Sequence, residues 1–151
     1  MPRSDGSTTR PTPTVDDWHS LAEGLYAGYL WVQAVLGVVL WLGIWTSDTV
    51  RSWFELVPTR PEVTDAFAFG DLGLIVVTSA LGAWGVRRRR SWALPVVAFT
   101  AGGVVYPTLF LIGWMALTDD GAIPLAVMVP VSVLTCWITW QLWREGRRTA
   151  G

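Results

Sequence analysis

The chain has 151 residues, 52% of them hydrophobic and only 15% charged, with a formal net charge of −1 and 11 tryptophans. So little charge, nearly balanced, excludes the basic face that phosphate binding requires, and no nucleic acid is expected as a partner. One cysteine (Cys136) and one histidine (His19) exclude an intrachain disulfide and leave no ligand set for zinc, so no metal and no cofactor are expected. Every basic residue is Arg, and Lys and Asn are absent. That bias fits GC-rich coding and points to a prokaryotic source.

Residues 1–20 are polar and rich in Pro, Ser, Thr and Asp. With nothing apolar to bury, they read as a disordered cytoplasmic tail that ends where Trp18 reaches the membrane surface. The tail lacks the basic start, short apolar region and cleavage site of a signal peptide, so it is expected to be retained. A first membrane span is predicted over 25–45. The stretch after it, TSDTVRSWFELVP, carries Val50, Trp53, Phe54 and Val57 at helical spacing. Ser47 or Asp48 caps that segment and Pro58 stops it, which gives a short interfacial helix or a lid packed on the spans.

The second span covers 66–86, with its helix starting at Pro61 and with Glu62 and Asp65 at the positive helix end. It closes on Arg87, Arg88, Arg89 and Arg90. The connection through Ser91 is so short that the third span, 92–117, must return antiparallel beside the second. Asp119, Asp120 and Gly121 form an acidic turn, Pro124 opens the fourth span, 122–143, and residues 145–151 form a basic cytoplasmic tail. The four spans make one membrane domain, 21–144.

Orientation comes from the arginines. With the Arg87–Arg90 loop cytoplasmic, both termini are cytoplasmic too, and Arg3, Arg10, Arg144, Arg147 and Arg148 join it on that side. Only Arg51 and Arg60 lie outside. Trp41, Trp45 and Trp114 fall at outer span ends and Trp84, Trp92, Trp140 and Trp143 at inner ones, the two belts expected of aromatic rings at the interfaces.

Membrane helices pack through small and polar residues, and each span carries such a stripe. These are Tyr26, Tyr29, Gln33 and Gly37; Asp71, Thr78, Gly82 and Gly85; Gly102, Tyr106, Phe110 and Gly113; and Ser132, Thr135, Cys136 and Thr139. Tyr26 and Tyr29 also suit interface anchoring. The hydroxyls of the fourth span are expected to bond back to their own helix and to help the carbonyl freed by Pro130. Pro107, after Tyr106, would kink the third span. Cys136 is expected to be buried and inert, and His19 solvated.

Asp71 is what a plain apolar anchor does not explain. Counted from Ala66 it lies roughly 7 to 8 Å below the span end. An ionised carboxylate costs roughly 2.5–3.5 kcal/mol at full membrane depth, and less near the interface. It must be paired, hydrated or protonated. Tyr106, about a turn deeper on the third span, is placed to donate to it. Asp71 is then either an interhelical hydrogen bond or part of a ligand-binding site with Tyr106, Gln33, Thr78 and Ser132. Arg87 to Arg90 set the topology and offer contacts to anionic lipid head groups, worth about 1 kcal/mol each.

Paired thiols, intramembrane histidines, a glutamate well inside the first span (Glu23 is at its edge), a phosphate loop and a nucleophile–base–acid set are all missing. These absences remove thiol oxidoreductases, dihaem cytochromes and small multidrug exporters. The expectation is an all-α integral membrane four-helix antiparallel bundle in the cell membrane, with both termini cytoplasmic. Its first functional reading is a non-enzymatic interaction or accessory subunit, as a homo-oligomer or with a membrane partner protein. The alternative is a ligand-binding or proton-coupled transport unit with an outward-facing pocket around Asp71. A membrane enzyme using Asp71 as base ranks third, since no second titratable group accompanies it.

Overall fold

The computed structural model describes residues 15–57 and 59–149. The expected tail up to residue 14, Pro58, and the side chains of Trp18, His19 and Arg148 lie outside the described residues. Within them the chain is helical: α1 (Val15–Thr46), α2 (Asp48–Phe54), α3 (Pro61–Arg87), α4 (Ala93–Thr118) and α5 (Ala122–Thr149), with no strand among the described residues. Helices α1, α3, α4 and α5 are long and apolar enough to cross a membrane, so by length and composition this is a multi-pass membrane protein.

Two helices run past the expected span ends. α1 begins at Val15, well before Leu25. α5 continues to Thr149, through the stretch expected as a basic tail.

The surface is inside-out relative to a soluble protein. Leu25, Phe69 and Leu117 are exposed by 73%, 86% and 88%, and whole outer faces of α1 (Trp31, Val35, Leu36, Val39, Leu42) are apolar. The interior is built from small and polar side chains as much as large ones: Ala27, Gln33, Ala34, Ser79, Ala83, Thr100, Ala101, Thr108, Ser132 and Thr135 are all buried. Such an interior fits helices that associate by close packing and interhelical hydrogen bonds, since lipid is as apolar as the core. α3 packs between α1 and α4. A Cβ at Gly37 would stand 2.6 Å from Val76, and one at Gly82 would stand 2.9 Å from Val97, so glycine sets the approach at both contacts.

Hydrogen bonds tie the helices together in separate groups. Gln33 Nε2 donates to Ser79 Oγ (3.1 Å), and its Oε1 accepts from Thr135 Oγ1 (2.9 Å), joining α1, α3 and α5. Tyr29 Oη donates to the Val131 carbonyl at 3.1 Å. Thr108 and Ser132 share a 2.6 Å hydrogen bond between α4 and α5, and Thr100 donates to Thr78 at 2.8 Å between α4 and α3.

α2 packs on the long helices through Val50 and Phe54, which rest on a cluster of Trp41, Ile44 and Ala68, while Trp53 stays exposed. Ser47 caps it by accepting from the Val50 amide. Arg51 clamps the approach to α3, donating to Asp65 Oδ2 (3.2 Å) and to the Pro61 carbonyl (3.1 Å). At the opposite end, α3 stops with Arg89 at φ 48°, and the Arg90 amide closes the turn on the Gly85 carbonyl at 2.9 Å.

Several expected inward faces are corrected. On α4, Gly102, Tyr106 and Gly113 look outward, Phe110 is only partly exposed and packs on Phe67, and the buried face is Ala93, Val97, Thr100, Ala101, Val104, Thr108 and Leu111. On α5, Cys136 is exposed rather than buried. The fourth-span hydroxyls reach the Val131, Thr135, Val104 and Val97 carbonyls, and not the Ala126 carbonyl that Pro130 leaves without its helical donor. Tyr26 and Tyr29 serve packing rather than the interface: Tyr26 is buried, edge-on to Trp137 at 5.8 Å.

Candidate functional site

Asp71 opens a π-helical segment, Asp71–Val76, in the middle of α3. Its signature is the Val77 amide bonding to the Leu72 carbonyl, five residues back. Gly70 precedes the distortion and Gly73 lies within it, and neither has a neighbouring atom within 4 Å of an added Cβ. A π-turn inserts one extra residue, which at 3.6 residues per turn rotates the helix before it by about 100° relative to the helix after it. Asp71 therefore leaves the azimuth that an uninterrupted helix would share with Thr78, Gly82 and Gly85. Such bulges recur at functional sites.

The rotated carboxylate meets α1. Trp41 Nε1 donates to Asp71 Oδ2 at 3.2 Å, from a tryptophan that is buried although it falls at a span end. Among the described residues no Arg or His makes an ion pair with Asp71. Asp71 lies roughly 15 Å along α3 from its start at Pro61, at about 1.5 Å per residue.

Asp71 lines an apolar cavity of about 90 Å³ at the end of the molecule covered by α2. Trp41 and Ile44 come from α1, Phe54 from α2, Thr64 and Phe67 from α3, Phe110 and Leu111 from α4, and Val127 and Met128 from α5. Asp71 is the one titratable side chain in that lining, and Thr64 and the Trp41 indole are its other polar groups. A second space, a groove of about 440 Å³ between α3 and α4, also reaches Asp71 and is lined by Gly70, Leu74, Phe99, Gly102 and Tyr106. Phe67, Asp71 and Pro107 belong to both linings.

The five residues expected to form one pocket are thus divided. Asp71 and Tyr106 share the groove, with Tyr106 72% exposed and no hydrogen bond between the two. Gln33, Thr78 and Ser132 are instead engaged in the interhelical bonds to Ser79 and Thr135, to Thr100, and to Thr108. Thr78 also donates to the Leu74 carbonyl. Of the four arginines at the end of α3, Arg89 pairs with Glu23 at 2.7 Å, and all four are exposed.

Sequence reasoning missed the aromatic wall of Trp41, Phe54, Phe67 and Phe110. Thirty residues separate Trp41 from Asp71, and nothing local links them. Among the described residues no three His, Cys, Asp or Glu side chains gather to hold a metal ion. Chemically, the arrangement offers one carboxylate acceptor in an apolar, aromatic surround. Compared with protein-family models, curated proteins and solved structures, the chain matches none.

Proposed function

We propose that this protein is a four-span membrane protein that binds a small ligand at Asp71, the ligand supplying the cation or hydrogen-bond donor that the protein does not. The observation that carries this reading is the carboxylate on the wall of an apolar cavity with no basic partner among the described residues. An ionised carboxylate inside a span without a counter-ion is costly, which favours a role beyond packing. The aromatic lining adds faces that attract cations.

The bundle is antiparallel in this proposal, with both termini cytoplasmic in the cell membrane. Contacts between α3 and α4 support the first part, since Leu74, Gly82 and Gly85 meet Gly103, Val97 and Trp92 in descending order. The arginine excess beside the α3–α4 turn supports the second. Arg87, Arg88 and Arg90, exposed and outside the Arg89–Glu23 pair, are the ones offered to anionic lipid head groups.

The test uses purified protein in nanodiscs and titrates n-butylammonium against n-butanol by calorimetry. Binding of the amine, weakened at least tenfold by Asp71→Asn, is expected. Equal heats for wild type and Asp71→Asn would sink the proposal. Proton-driven uptake of the same amine into liposomes tests its transport form.

The second reading, an interaction or accessory subunit, has one observation of its own. Ala98 and Gly102 lie exposed one turn apart on α4, a spacing that lets another membrane helix approach closely.

A further inference from the structure

We propose that the ligand is a single-chain lipophilic amine that reaches the site from the bilayer, with its ammonium at Asp71 and its chain in the groove between α3 and α4. This rests on the reading of Asp71 as a ligand site and adds to it the class of ligand and the place of its tail.

Three observations carry it. The first is charge. Asp71 has the Trp41 indole as a donor and no ion-pair partner among the described residues, so the complement it lacks is a cation. A fatty acid of the same length would bring a second negative group to the carboxylate.

The second is size. The cavity, at about 90 Å³, is smaller than the roughly 150 Å³ engineered cavity that takes one benzene. It holds an ammonium head with a few carbons and leaves no room for a chain. Aromatic rings of Trp41, Phe54, Phe67 and Phe110 around that space suit an alkylammonium head.

The third is adjacency. Asp71 lines the cavity and also the groove, whose walls are Leu74, Phe99 and Tyr106. The floor at Gly102 is open, because a Cβ there would meet nothing within 4 Å. The groove lies on an outward face of α4, so a chain bound there stays in apolar surroundings throughout. Were the groove closed, a long chain would have to leave the bilayer for its head to reach Asp71.

The experiment measures equilibrium binding of labelled butylamine, dodecylamine and dodecanol to protein in phosphatidylcholine nanodiscs. Wild type is compared with Gly102→Leu, whose Cβ would meet nothing within 4 Å, and with Ala98→Leu, a second filler on the same wall. In wild type the half-saturating aqueous concentration is expected to fall about fourfold per added methylene between the two amines. Both fillers should weaken dodecylamine at least tenfold and leave butylamine unchanged. Butylamine binding with dodecylamine insensitive to both fillers would overturn the groove and leave the Asp71 site standing. Dodecanol binding as tightly as dodecylamine would overturn the amine. A wild type that is dimeric and becomes monomeric in both fillers would give the groove to a second copy of the chain and overturn the tail's place in it. No butylamine binding at all would instead remove the site reading beneath the proposal.

Discussion

Trp41 donates its indole N–H to Asp71 across 3.2 Å, and this single hydrogen bond joins the distorted middle of α3 to the inner face of α1. It explains two facts together. A tryptophan that position assigns to the interface belt is turned inward, and a carboxylate inside a span keeps a polar partner.

Trp41→Phe keeps an aromatic ring but removes the donor together with part of the buried indole volume. Because a charged acceptor is then left without its partner, a loss of about 1–3 kcal/mol in unfolding free energy is expected. In the double variant with Asp71→Leu both partners are apolar, so stability should return toward wild type. Thermal or denaturant unfolding in a fixed detergent reads the cycle. Additive losses would show that the pair does not interact.

Gln33 is expected to matter for stability and not for ligand. It is buried and bonded at both ends of its amide, to Ser79 and to Thr135. Gln33→Leu should cost roughly 1 kcal/mol, since interhelical hydrogen bonds in membranes average about 0.6 kcal/mol each. Butylammonium affinity should be unchanged. A tenfold loss of affinity at unchanged stability would return Gln33 to the site.

Hydropathy sets how much of this is legible in the sequence. The four apolar helices, the Pro61 start and the turns at Arg87–Arg90 and Asp119–Gly121 are legible, because length, proline and charge signal them locally. Which way each helix faces is less so. In a soluble helix polarity separates outside from inside, but lipid and core are equally apolar. Cys136 and the Gly102–Tyr106 stripe therefore read as inward and lie outward. The π-segment is invisible because nothing but Gly70 and Gly73 marks it, and a regular helical count puts Asp71 on the Thr78 stripe. Gln33 and Asp71 stand out because polar residues inside a span are rare. Trp41 does not, being one of 11 tryptophans and sitting where a belt is expected.

Glycine contacts give a sharper test of the packing. At Gly82 a Cβ would lie 2.9 Å from Val97, whereas at Gly102 it would meet nothing within 4 Å. Gly82→Leu is expected to destabilise by about 1–3 kcal/mol through overpacking, or to prevent folding. Gly102→Leu should be neutral or slightly stabilising, since leucine is the better helix former by several tenths of a kcal/mol. Comparing the two unfolding midpoints in the same detergent decides it. A Gly82→Leu variant as stable as wild type would mean that α3 and α4 do not approach as closely as described.

The orientation can be tested through the arginine turn. Within the run, Arg89 pairs with Glu23 at 2.7 Å on an exposed surface. Such a pair is worth at most about 1 kcal/mol, so Glu23→Gln should leave both stability and topology nearly unchanged. Topology instead depends on the summed positive charge near the span ends. A reporter fused after Gly151 that fluoresces only in the cytoplasm is expected to be bright. Replacing Arg87, Arg88, Arg89 and Arg90 by Gln removes four of the nine arginines assigned to that side. The remainder (Arg3, Arg10, Arg144, Arg147 and Arg148) still outweighs Arg51 and Arg60, so the quadruple variant should keep most of its signal. Adding Arg144→Gln, Arg147→Gln and Arg148→Gln leaves two on each side, and a mixed population should then appear. A dark reporter on the wild-type chain would reverse the orientation and place the Asp71 cavity on the cytoplasmic side.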